Sequence, residues 1–77
     1  MSVEAEIRAI LSRVVTGLDG NMVLKDAELL ESGVDSLDFA TLLLEVQEAF
    51  DVTLPPGQED DFDTLGKLIA FVESAKK

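Results

Sequence analysis

The chain has no cysteine, histidine, tryptophan or tyrosine, only two prolines, and six bases against sixteen acids. Each shortage excludes something. Without cysteine there are no disulfides and no thiolate metal site, which suits a reducing compartment. Without histidine the usual activating base for a nucleophilic serine is missing. No apolar run is long enough to cross a bilayer, so membrane insertion is not expected. "MSVEAEIRAI" lacks a basic start followed by an apolar stretch, so no signal peptide is expected and the protein reads as soluble and cytoplasmic.

What is present is one domain's worth of chain. The 77 residues are 47% hydrophobic, enough for a single small core spanning 1–77. Charge is unevenly placed. Twelve of the sixteen acids lie between Asp26 and Gly66, a segment with no Lys or Arg, whereas the remaining residues hold four acids and six bases. Phosphate recognition needs cations, so nucleic acid is excluded as a partner of this middle segment. Basic protein patches, reached by steered and salt-sensitive association, are the expected partners.

Periodicity gives helices. Val3, Ile7, Ile10, Leu11, Val14 and Leu18 make one stripe, with Ser2 as N-cap and Gly17 as a stop. A long connection follows, from about Thr16 to Asp35, in which Val23, Leu24, Leu29, Leu30 and Val34 are expected to anchor the chain to the core. A second helix opens at Asp35 as N-cap, with Asp38 as the acidic partner of a capping box. Its apolar stripe is Phe39, Leu42, Leu43, Val46 and Phe50. Its other face carries Leu37, Asp38, Thr41, Glu45 and Glu48, with Leu44 at the edge. "DVTLPPG" is expected to end this helix through its prolines. "QEDDF" can form one helical turn, and a last helix from about Thr64, capped by Asp63 or Thr64, buries Leu65, Leu68, Ile69 and Val72. Strand-like alternation is absent. The fold class is therefore all-α, a small three-to-four-helix bundle with a long loop between the first and second helices.

Two constellations fail on inspection. An EF-hand loop begun at Asp19 would need Gly and Glu where Leu24 and Leu30 stand. "EDDFD" reads as a solvated acidic turn, and no metal site is assigned. The four phenylalanines fall on or beside apolar stripes and read as core.

The chemically suggestive stretch is "GVDSL", residues 33–37. It has a superficial likeness to the GDSL esterases but carries an inserted valine and lacks the histidine of a triad. With Asp35 capping, Ser36 falls at the first helical position, open to another protein. A hydroxyl there is better placed as the substrate of a modifying enzyme than as a nucleophile for this chain. The positive end of a helix also tolerates an attached phosphate.

"GVDSL", the acidic helix ending "EAFDVTLP", the tail "LPPGQEDDFDTLGKLIAFVE" and the total length closely resemble the acyl carrier proteins. The resemblance implies that Ser36 receives 4′-phosphopantetheine from coenzyme A through a phosphopantetheinyl transferase that uses Mg²⁺, with Asp35 and Leu37 flanking the site. It implies that the chain is not an enzyme but a monomeric carrier of acyl thioesters, visiting acyl-loading and chain-modifying enzymes of fatty acid, polyketide or related lipid biosynthesis. Basic patches of those enzymes would meet Asp38, Thr41, Leu44, Glu45 and Glu48. Fatty-acid-synthesis members commonly place acids where Thr41, Gln47 and Ala49 stand here, which favours a specialised carrier. A peptidyl or aminoacyl carrier, and an unmodified acidic helical adaptor, are the rival readings.

Overall fold

Three amphipathic segments become three helices, α1 Val3–Val14, α2 Ser36–Phe50 and α3 Leu65–Ala75, in a computed structural model that describes residues 2–55 and 57–75. The backbone of Glu59–Phe62 makes the short helical turn expected of "QEDDF", while the side chains of Glu59 and Asp60, on which the solvated acidic turn "EDDFD" depends, lie outside the described residues. Each helix contributes its expected stripe. Ile7 and Leu11, Leu42 and Val46, and Leu65, Leu68 and Val72 are completely enclosed, joined by Leu29 and Val34 from the long loop. Burial of this kind stabilises by about 1.5–3 kcal/mol per large apolar side chain. Phe39, Phe50 and Phe62 are core residues, and Phe71 meets Phe62 edge-on with ring centroids 5.0 Å apart. Val15, outside the helical stripe, is buried as well. It is extended (φ −105°, ψ 101°) and ends α1, so the 100° step no longer governs where its side chain points.

The first helix ends at Val14, ahead of the expected stop at Gly17, because the backbone is already extended at Val15; the other caps follow the sequence with two differences. Ser2 Oγ accepts from Ala5 N–H at 3.1 Å, and Thr64 Oγ1 accepts from Lys67 N–H at 3.2 Å. Asp35 Oδ1 accepts from Asp38 N–H at 2.7 Å, but no return bond from Asp38 exists, so the expected capping box is made in one direction only. The second difference lies at the other end of α2. The prolines do not stop it: Asp51 does, in the left-handed conformation (φ 54°), its N–H donating to Gln47 carbonyl oxygen. The Gln47 side chain then donates to Leu43 O at 3.2 Å and accepts from Leu54 N–H at 3.0 Å. Gln47 therefore fastens the exit segment to the last turn, a double role that needs both halves of an amide.

The long loop is ordered, though not by every expected anchor. Val23, Leu29 and Val34 are buried, whereas Leu24 (73% exposed) and Leu30 (50%) face solvent. Backbone and polar contacts replace them. Arg8 Nη1 donates to the carbonyls of Gly20 and Val23, both at 2.6 Å, and Gly20 N–H donates to Ser12 Oγ at 2.7 Å. Gly20 sits so close to α1 that a Cβ would lie 2.3 Å from Arg8 carbonyl oxygen. Further on, Leu29 N–H bonds Asp63 O at 2.8 Å and Gly66 N–H bonds Lys25 O at 3.1 Å. An isolated antiparallel bridge pairs Glu28 with Thr64. The loop is thus stitched first to α1 and then to the start of α3 before it delivers the chain to α2.

Candidate functional site

At the end of that loop the chain must turn sharply into α2. Gly33 makes the turn at φ +99°, a conformation that side-chain-bearing residues rarely adopt, and nothing lies within 4 Å of where a Cβ would be. Val34 is buried and fixes the approach, and Ser32 Oγ donates to Glu28 O at 2.8 Å. Asp35 then caps the helix by accepting from Asp38 N–H while staying exposed, leaving Ser36 as the first residue of the helix.

Ser36 is exposed, and its hydroxyl has no intramolecular hydrogen-bond partner. The Asp35 carboxylate is engaged by Asp38 N–H, so the amides of Ser36 and Leu37 are the first-turn donors left over. A compact anionic group on the Ser36 oxygen would therefore meet unpartnered N–H groups and the positive end of a four-turn helix. Asp35 and Asp38 act against it by like-charge repulsion, which exposure to water weakens. Among the described residues no lysine is engaged as an activating base: Lys25 pairs with Glu4, and Lys67 with Asp63. The Asp63 contact raises the Lys67 pKa, keeping that amine charged.

The face of α2 beyond the serine has its own character. Leu37 (76% exposed) and Leu44 (57%) stand out into solvent, so neither belongs to the core. Among the described residues Asp35, Asp38 and Glu48 have no cation partner. Glu45 does, in Arg13 of α1. Thr41 is half-buried and its hydroxyl donates to Leu37 O at 3.0 Å, so its hydrogen atom is already engaged within the helix. The sequence brought all of these α2 residues forward. It did not point to Arg13, which lies 32 positions from its partner and off the apolar stripe of another helix.

The described residues contain no cluster of three or more carboxylates arranged to hold a metal ion, and no helix among them is long and apolar enough to cross a membrane. An open cavity of about 650 Å³ beside the start of α3, lined by Asp26, Glu28, Asp63, Thr64 and Lys67, lies on the loop and α3 rather than at Ser36.

Comparison with known proteins agrees with the geometry. Residues 5–72 match the family described as "Phosphopantetheine attachment site". The acyl carrier protein of Desulforapulum autotrophicum is 30% identical over 73 residues, which cover 94% of this chain and 95% of that one. The prosthetic group is covalently attached 4′-phosphopantetheine. An exposed serine free of internal bonds, on a chain without a thiol of its own, suits a group that imports one. The chain belongs to the phosphopantetheine-attachment family, as an acyl carrier protein.

Proposed function

We propose that Ser36 is the attachment point, and that residues 1–77 act as one monomeric carrier unit handled by other enzymes. The observation that carries this reading is the free, solvent-facing hydroxyl of Ser36 at the first position of α2. Loading consists of one exchange at phosphorus. Ser36 Oγ forms a bond to the pantetheine-side phosphorus of coenzyme A, and the pyrophosphate P–O bond breaks. Adenosine 3′,5′-bisphosphate leaves with the electron pair, while the serine proton passes to a base of the transferase. The part of this chain is to hold the hydroxyl out and in place. Gly33 and Val34 set the turn, the Asp35 cap fixes the first helical residue, and the leftover amides offset the phosphate's charge.

Once bound, the group supplies the thiol on which acyl chains of fatty acid, polyketide or related lipid biosynthesis are held as thioesters. Asp35 and Leu37 flank the serine for the transferase. Asp38, Thr41, Leu44, Glu45 and Glu48 form a docking face for enzymes with basic patches, with exposed Leu37 and Leu44 giving a small apolar contact inside an acidic surround. Weak, charge-steered docking suits a carrier that must leave each enzyme quickly.

The test is intact mass after incubation with coenzyme A, Mg²⁺ and a broad-specificity phosphopantetheinyl transferase. A gain of one phosphopantetheine that is abolished in Ser36→Ala is expected. An unchanged mass, or a gain that persists in the variant, overturns the assignment.

A further inference from the structure

Arg8, Arg13, Lys25 and Lys67 are the cations among the described residues, and each is in an ion pair. Three of the four serve the scaffold. Arg8 and Lys25 share Glu4, and Lys67 holds Asp63 one turn before it. Arg13 is different, because it leaves its own helix and reaches Glu45 on α2. It is the one described cation that touches an acid of the proposed docking face. Glu45 lies between Asp38 and Glu48, beside exposed Leu44, so the pair neutralises the middle of the face and leaves both ends negative. Both partners remain in contact with water, their side chains 65% and 37% exposed. An exposed pair of this kind is weak and exchanges readily.

We propose that Arg13 is an internal competitor for the docking face: it occupies Glu45 in the free carrier, and a partner enzyme with a basic patch must replace it with a cation of its own. This rests on the reading of α2 as the docking face. On this proposal the transferase's footprint extends from Asp35 and Leu37 along α2 to Glu45, so that loading of Ser36 meets this competition. Partners able to displace the guanidinium engage the whole face, whereas those without a suitably placed cation meet a neutral centre. Specificity here is a difference between partners in what replaces Arg13.

The experiment measures kcat/KM for loading Ser36 with a broad-specificity transferase, coenzyme A and Mg²⁺ at low ionic strength. Arg13→Gln is expected to raise it about two- to five-fold, as freeing an exposed pair allows. Arg13→Met, which keeps the aliphatic stem, should do the same, and thermal melting establishes that both variants are folded. Lys67→Gln makes an equal change in net charge away from α2 and should leave the rate nearly unchanged. In Arg13→Gln/Glu45→Gln the gain should disappear. Equal gains in Arg13→Gln and Lys67→Gln would reduce the effect to net charge and overturn the proposal. An unchanged or lowered rate in Arg13→Gln, with Asp38→Asn still impairing loading, overturns it while leaving the docking reading intact. If Asp38→Asn has no effect either, it is the docking reading that fails.

Discussion

Charge is used in opposite ways on the two sides of this molecule. Around α1, carboxylates and cations are consumed in holding the fold: Glu4 takes both Arg8 and Lys25, and Arg8 also ties down two loop carbonyls. Along α2, Asp35, Asp38 and Glu48 have no cation partner among the described residues, and Leu37 and Leu44 are exposed. The first arrangement builds a scaffold, and the second leaves a surface unfinished by the chain itself. The difference teaches that net charge alone says little here, because some of the described acids are paired within the fold and others are not. A substitution on the α1 side should therefore cost stability, and one on the α2 face should alter partner encounters.

The largest expected effect comes from Gly20. Its α-carbon lies against the α1 backbone, and a methyl group would sit 2.3 Å from Arg8 O and 2.8 Å from Ser12 Oγ. A backbone oxygen cannot swing aside as a side chain can, so Gly20→Ala must move the loop or the helix. A loss of about 3 kcal/mol is expected, at the upper end for overpacked sites, and urea denaturation would measure it. Loading of the folded fraction at Ser36 should be unaffected, since α2 lies beyond the disturbed contact. A variant as stable as the parent would show that the loop is not held against α1 as described.

The second test removes the repulsion rather than a contact. The acids of 26–66 have no base in their own segment, so salt should stabilise the fold by screening their mutual repulsion. Between about 0.01 M and about 0.1 M salt the Debye length falls from roughly 30 Å to roughly 10 Å. A melting temperature higher by about 4–8 °C is expected, if the relief amounts to about 1 kcal/mol in a domain this small. The same addition of salt should slow transferase loading, because steering weakens. Opposite signs for stability and loading would be the signature of charges kept for partners. A melting temperature indifferent to salt would remove that distinction.

Much of this was legible in the sequence, and the exceptions share a cause. The three helices, the caps at Ser2, Asp35 and Thr64, and the buried stripe of α2 follow from periodicity and side-chain chemistry. So does Ser36 at a helix start, since a capping aspartate and a preceding glycine leave it nowhere else to go. What escaped were contacts made by backbone and by long polar side chains. Leu24 and Leu30 were expected as anchors because they are apolar, yet Arg8, Ser12 and Gly20 hold the loop instead. Gln47 and Asp51 end α2 where the prolines were the obvious breakers, because a left-handed residue and an amide clamp act four residues before Pro55 can. Arg13 reaching Glu45 belongs to the same class: nothing in linear spacing announces a pair formed only when two helices pack.

The smallest effect tests the scaffold side through pH. Glu4 is held below the ordinary carboxylate range, first by its bond to Lys25 and then by its bond to Arg8. A carboxyl whose pKa is lower folded than unfolded stabilises the fold above its unfolded pKa, and that contribution is lost as pH falls through the folded value. Glu4→Gln should therefore be slightly less stable than the parent at neutral pH, and the two denaturation curves should converge as acid is added. The convergence must come in the acid limb, below the usual glutamate range, and not near neutrality. The group is exposed, so screening keeps the difference small, and the comparison needs paired measurements at constant ionic strength. Parent and variant that stay equally separated down to strong acid would mean that Glu4 contributes through packing alone, with no part played by its bonds to Lys25 and Arg8. The charge on the α1 side would then be no more structural than the charge on α2.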